Sequence, residues 1–379
     1  MTSTRRRIEA LFPTYLEFWE TICRLETPSC DRAALNQQAD VIEAFSAARG
    51  FSVRRQHYAA AGDTLVIELS GNVHKKHIAL LAHMDTVHAP GAFGEPPVRK
   101  ENGILYGPGV FDCKGGIAAC LLAMEALAAP NSAYPTVKLI LNSDEEDGSF
   151  IGEDGALFIQ SEARGACAAF NAEAGRADSL TVGRKGILTA EIQVFGKAGH
   201  AGNAYFQAAS AIREAAHKII ALEAKSNEHI TYNCGLIHGG SASNIVPDEC
   251  RITVDVRFQN AAQLQQAMKA LDEITQNSSV KDCRAEWRKQ NLRPAMECTA
   301  ENLKLFQTVL QTAQELGLPP LLPMERGGGS DSAFTVEIGI PTVCSMGPVG
   351  RYEHTVREEA DINTLADRAL LLAECIKRV

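Results

Sequence analysis

Several absences narrow the reading of this 379-residue chain before any motif is considered. No window approaches the roughly 18 uninterrupted apolar residues that a membrane-spanning helix needs. The arginine-bearing start, Met1 to Pro13, has no apolar h-region because Glu9 and Pro13 interrupt it. It is therefore expected to be neither a secretory nor a twin-arginine signal. The chain has 37 basic against 46 acidic residues, a net charge of −9, so there is no basic excess to bind nucleic acid electrostatically. No C-x-x-C pair occurs among the eleven cysteines, which predicts reduced thiols and a cytoplasmic location. The glycine run Gly327–Gly329 is not followed by the Lys-Ser/Thr of a phosphate-binding loop, and no Gly-x-Ser-x-Gly elbow of a serine hydrolase is present. Internal repeats, low-complexity tracts and Gly/Ser linkers are missing too.

What remains is ordinary globular usage, 45% hydrophobic and 22% charged, in a chain long enough for two domains. Residues 1–60 read as helical, with Leu16, Phe18, Trp19 and Ile22, then Val41, Ile42 and Phe45, at helical spacing; the second helix ends before Gly50. From about 60 to 184 short apolar strands alternate with helices: strands at 77–82, 136–141 and 166–170, and a helix at 116–128. That alternation predicts an α/β domain with an open, mixed, largely parallel sheet flanked by helices.

Between 185 and 293 the rhythm changes to strand 188–195, helix 207–224, strands 230–238 and 250–258, helix 261–276 and strand 283–288. This is the β-α-β-β-α-β order of a ferredoxin-like unit. After Pro294 the α/β rhythm returns, with helices near 301–316 and 363–377 and a strand at 341–346. The expected organisation is one α/β domain, 1–184 and 294–379, with 185–293 inserted in it.

Five segments carry candidate metal ligands: His83-Met-Asp85, Asp112, Asp144-Glu145-Glu146, Glu173 and His354. Four are expected where strands run out, the edge at which open α/β sheets bind ligands. His354 lies in a loop some eight residues beyond its strand. Imidazole with carboxylate suits zinc and similar divalent ions, and a carboxylate-rich set can hold two. Each residue also has a plainer reading: a satisfied polar strand end, a solvated acidic turn, or, for Asp112, the start of a helix.

Six motifs in order decide between these readings: Ala82-His-Met-Asp-Thr-Val87, Gly107-Pro-Gly-Val-Phe-Asp-Cys-Lys-Gly-Gly116, Asp144-Glu-Glu-Asp-Gly-Ser149, Gly196-Lys-Ala-Gly-His-Ala-Gly202, Ser243-Asn-Ile-Val-Pro247 and Gly327-Gly-Gly-Ser-Asp331. Together they resemble the cocatalytic zinc peptidases and deacylases, the family of glutamate carboxypeptidase, acetylornithine deacetylase and succinyl-diaminopimelate desuccinylase. The resemblance spans nearly the whole chain. It implies a zinc-exopeptidase-like catalytic domain in which Asp112 bridges two zinc ions, His83 and Glu173 complete one site, and Glu146 and His354 complete the other. Cobalt or manganese fits the same ligands. Asp85 is expected to hold the far nitrogen of His83. A cis peptide is expected after Asp112, at Cys113, where many relatives have an acidic residue or Met.

Glu145 is implied as the general base on metal-bound water, adjacent to a ligand but not one itself. His200, in the inserted domain, would hydrogen-bond the oxyanion of the intermediate, supplied in relatives by the partner subunit of a homodimer. Asn244, Arg257 and the backbone amides of Gly328 and Gly329 are the family-matched candidates for the substrate's free carboxylate; Arg293 is a second arginine candidate, with an ordinary ion pair as its alternative.

The function implied is hydrolysis of an amide to release a C-terminal amino acid such as glutamate from an N-acyl or peptidyl substrate. The segments Gly107-Pro-Gly109 and Glu325-Arg-Gly-Gly-Gly-Ser-Asp331 look more like the glutamate carboxypeptidases than the biosynthetic deacylases. An N-acyl amino acid deacylase is the alternative within the class, and a non-catalytic metal-binding dimer the alternative outside it.

Overall fold

The computed structural model describes residues 3–129, 132–149 and 154–379. Its chain divides into two compact units. One comprises the residues up to Val182 with Cys298–Glu325 and Ser330–Val379; the other comprises Gly183–Glu297 with Arg326–Gly329.

The first unit is built on a six-stranded sheet in the spatial order 52–56, 64–69, 137–142, 78–83, 168–171, 342–343. The first two pairings are antiparallel and the other three parallel. Ile78–His83 is buried at every position, as its unbroken apolar run requires of a strand covered on both faces. The helix Lys114–Leu127 is apolar nearly all round and almost wholly buried, because it packs against the sheet and between the helices Ser3–Arg24 and Thr364–Arg378.

The sequence reading of residues 1–60 as helical holds for Ser3–Arg24, which runs through Pro13, and for Arg32–Ala47; it fails at Ser52–Gln56, an edge strand. There Ser52, Arg54 and Gln56 face solvent while the other face carries Val53 beside Arg55, which is paired with Asp63 and Asp40, so no apolar periodicity marks the strand.

An antiparallel sheet absent from the expectations has the order 350–351, 359–361, 104–106, 99–101. Its register sets Ala360 opposite Leu105 and Asp361 opposite Ile104. The loop 352–358 is thereby held beside the loop 107–113, although some 240 residues separate them in the chain.

The second unit has strands 186–195, 231–239, 249–258 and 284–293, all antiparallel, in the spatial order 231–239, 249–258, 186–195, 284–293. The two central strands alternate buried with less buried positions, so their apolar side chains face the helices 211–223 and 261–276. Ser210 and Asn260 cap these helices, accepting from the amides of Arg213 and Gln263. No disulfide links any of the eleven cysteines. Among the described residues no helix is long and apolar enough to cross a membrane.

Candidate metal centre

Three adjacent parallel strands, 137–142, 78–83 and 168–171, end at the same edge of the sheet. His83 closes its strand, Asp144–Glu146 follow the second, and Glu173 follows the third. Asp112 enters differently, from the turn that opens helix Lys114–Leu127 rather than from a strand of this sheet, and the Asp112–Cys113 peptide is cis. His354 comes from the 350–361 hairpin, with a left-handed φ of 61°. A non-glycine residue there is uncommon and has to be held by its surroundings.

The side chains converge. His83 Nε2 lies 3.3 Å from Asp112 Oδ1 and 3.8 Å from Glu173 Oε1. His354 Nε2 lies 3.3 Å from both Asp112 Oδ2 and Glu146 Oε2. Each oxygen of Asp112 thus faces a different imidazole. Potential ligand atoms of Asp112, Glu146 and His354 all fall within 4.8 Å of one another, as do those of His83, Glu145 and Glu173. Two imidazoles and a set of carboxylates at this spacing are a donor set that zinc or a similar divalent ion fits. The Cys113 thiol also lies near His83 and Asp112. It is engaged by the His83 amide at 3.2 Å, and burial pushes its pKa up, so it stays a neutral thiol.

Asp85 does more than orient an imidazole. Its Oδ1 lies 3.2 Å from His83 Nδ1 and accepts the Glu145 amide at 3.1 Å; its Oδ2 accepts the Glu146 amide at 3.0 Å and the Ser29 hydroxyl at 2.7 Å. One fully buried carboxylate therefore ties the His83 imidazole to the backbone of the Glu145–Glu146 pair. Asp331 holds the same loop from its other side, accepting from Asn142 Nδ2 and the Ser149 hydroxyl. The glycine-rich motif ending at Asp331 is visible in the sequence, but this role for its aspartate is not. Ser29 and Glu358, whose carboxylate gathers the amides of the 109–112 turn, carry no sequence signal that would have found them.

The cluster carries more negative charge than its surroundings neutralise. Burial and the Asp112 charge push Glu146 up to about 8. Asp112 and Glu146 push His354 up to about 11. Burial alone would lower His83, yet the carboxylates of Asp112 and Asp85 hold it well above its usual value. Asp112 itself is held far below the carboxylate range: burial works against this, and the two imidazoles outweigh it. Without a cation the site gathers protons, and a divalent ion is the alternative occupant.

A family model for "Peptidase family M20/M25/M40" matches residues 79–378. The chain belongs to this family. Carboxypeptidase G2 from Pseudomonas sp. (strain RS-16) is 29% identical over 373 residues, which are 96% of this chain and 89% of the relative. A succinyl-diaminopimelate desuccinylase from Alkalilimnicola ehrlichii is 28% identical over 309 residues, 75% of this chain and 80% of the relative. In fold, the M20 metallo-carboxypeptidase Sso-CP2 from Sulfolobus solfataricus superposes with a TM-score of 0.77 at 19% identity, covering 96% of this chain and 98% of that one. The resemblance read from the six motifs is therefore correct at the level of family and fold. The chain is an M20-type hydrolase of the metal-dependent peptidase and deacylase class.

The remaining candidates of this M20 chain lie in its second unit. Gly199–His200 pairs with Ile245–Val246, which brings His200 and Asn244 into one corner; the Ala201 amide donates to Asn244 O at 2.9 Å. His200 is exposed, and its Nδ1 accepts the amides of Gly202 and Asn203 at 3.1 and 3.3 Å. Nε2 is then the protonated nitrogen, a donor. Arg257 is engaged by Asp255 through two bonds of 2.7 and 3.0 Å. Arg293 is buried, and a Cβ on Gly329 would come within 2.9 Å of its Cδ. Arg184 Nη1 donates to the carbonyls of Gly328 and Gly329.

Proposed function

We propose that this M20 hydrolase holds two divalent ions, zinc first, and cleaves an amide to release a C-terminal amino acid, with glutamate the leading candidate. The observation that carries the reading is the Asp112 carboxylate, whose two oxygens each face a different imidazole. His83 and Glu173 would complete one site and Glu146 and His354 the other. Bound there, divalent ions would lower the pKa of a coordinated water and polarise the scissile carbonyl. Glu145 would accept the proton of the attacking water and pass it to the leaving amine. Its backbone is anchored by Asp85, which leaves the carboxylate directed by a fixed main chain.

His200 would donate from Nε2 to the oxyanion, the tautomer its neighbouring amides favour. Arg257, Asn244 and the amides of Gly328 and Gly329 would take the substrate's carboxylate, with Arg293 as a second cation; Asp255 has to share or release Arg257 for that role. The likeness to carboxypeptidase G2 supports the glutamate reading. The likeness to desuccinylases supports a second one, an N-acyl amino acid deacylase.

The unit 183–297 is also proposed to dimerise. Its edge strand Thr231–Gly239 leaves Leu236 and Ile237 exposed, and Ile212 and Ile220 are exposed on the helix Ala211–Glu223. The test of specificity is kcat/KM for a peptidyl-glutamate, N-acetylornithine and N-succinyl-diaminopimelate on zinc-loaded protein. A preference for the glutamate amide above about tenfold, 1.4 kcal/mol in the barrier, supports the carboxypeptidase reading; a like preference for either other substrate replaces it with the deacylase.

A further inference from the structure

Glu358 is a charged residue with 1% of its surface exposed, four positions beyond His354. Its carboxylate is met by three backbone amides and one imidazole nitrogen. Oε1 accepts the amides of Phe111 at 2.8 Å and Asp112 at 2.9 Å; Oε2 accepts the Gly109 amide at 3.2 Å and meets His88 Nε2 at 2.9 Å. An ionised carboxylate is acceptor-only and offers about four lone-pair sites, so it matches this nest where an amide side chain would set its own N–H against theirs. Bonds to an ionised acceptor are also the stronger kind, as a buried charge requires.

The placement matters because of what lies at either end of the bridge. One end is the main chain of Asp112, whose two oxygens face His83 and His354. The other is the loop that carries His354, a half-exposed imidazole on a left-handed residue, closed by the bonds Thr355 N to Tyr352 O and Glu358 N to Thr355 O. His83 needs no such bridge, since it closes a fully buried central strand.

We infer that Glu358 is a positioning residue that sets the distance between Asp112 and His354, and so governs the half of the centre formed by Asp112, Glu146 and His354. This rests on the two-ion reading above. It touches neither substrate nor metal; it acts through the backbone of one ligand and the loop of another. The selectivity follows from the geometry. Loss of the bridge frees the loop of His354, while His83 stays on its strand and Glu173 just beyond its own, so the His83–Glu173 half loses only part of the hold on the shared Asp112.

The test is a titration of metal-free wild type and Glu358→Gln with cobalt(II), followed by calorimetry and by the visible absorption of each bound ion, alongside thermal melting. The expected result is a first ion bound nearly as in wild type and a second bound at least about tenfold more weakly, with kcat lowered and KM little changed, in line with the usual 10–100-fold cost of losing a ligand's outer partner. His88→Gln, which leaves the three backbone donors on the carboxylate, is expected to change second-ion binding far less. If Glu358→Gln loses its cooperative melt, Glu358→Asp decides, since it keeps the charge and shortens the reach. A folded variant that binds both ions as wild type does, or loses both equally, overturns the assignment. A wild type that takes up only one ion overturns this inference and the two-ion reading together.

Discussion

At the residue scale the centre depends on carboxylates whose individual duties differ. Glu145 and Glu146 are neighbours in sequence, yet Glu146 faces His354 and Asp112 while Glu145 lies beside His83 and Glu173. Replacing Glu145 by Gln keeps the shape and removes the base; it is expected to lower kcat by at least about 10²-fold with metal content unchanged, read by steady-state kinetics and metal analysis. Activity that survives the change would dismiss Glu145 as the base. Protons and metal ions compete for the same ligands. Asp112 and Glu146 hold a proton on His354, pushed up to about 11, and burial with the Asp112 charge pushes Glu146 up to about 8, so the centre takes up protons when no ion is present. An incoming ion has to displace them, so affinity is expected to rise with pH throughout the range below about 11, set by His354, and to fall more steeply below about 8, where Glu146 also takes up a proton. Calorimetry in buffers of different ionisation enthalpy should show protons released on binding; affinity independent of pH would contradict the ligand set.

At the scale of elements, two close approaches set the spacing of the ligand loops. A Cβ on Gly116 would lie 1.9 Å from Ala172 O, and one on Gly347 would lie 2.5 Å from the same atom. The first turn of helix Lys114–Leu127 can therefore sit against the residue preceding Glu173 only as glycine. Gly116→Ala is expected to push that helix away, cost about 1–3 kcal/mol of stability, and weaken metal binding because Asp112 and Glu173 move apart. Denaturant unfolding and a metal titration check both parts; a variant as stable as wild type would show that the helix can yield there. In the second unit, buried Glu214 pairs with Lys218 at 2.8 Å and accepts the amides of Ser279 and Val280, while Lys218 closes the C-terminal carbonyls of the helix Ala261–Gln276. Removing one partner leaves the other's charge buried, so Lys218→Met is expected to destabilise by about 3–5 kcal/mol, measurable by urea unfolding.

At the scale of the whole molecule the proposal is a homodimer joined through residues 183–297. Leu236→Lys on the edge strand and Ile220→Glu on the helix Ala211–Glu223 put charge on exposed apolar positions and should convert the dimer to monomer in sedimentation. If the partner subunit supplies His200, activity should fall with the dimer fraction and return at high protein concentration. A wild type that is monomeric and fully active would remove that role. The order of the inserted unit was legible because each element carries its own period: alternation along 186–195 and 249–258, and a helical stripe over 261–276.

What the sequence by itself determined is the family, most of the succession of elements and the candidate residues of the metal centre. Motifs and periods are local, and local chemistry suffices to write them. The small sheet 350–351, 359–361, 104–106, 99–101 was not legible, because its strands are two or three residues long and their pairing spans most of the first unit. Nor was Glu358, which reads in Arg357-Glu-Glu359 as one more solvated charge until that sheet carries it under the 107–113 turn. Asp85 was expected to hold His83, and only the packed strands revealed that it also holds Glu145 and Glu146. A buried carboxylate is defined by the donors around it. Those donors come from distant segments, so the tertiary structure alone decides which acidic residues ligate, which position a ligand and which face water.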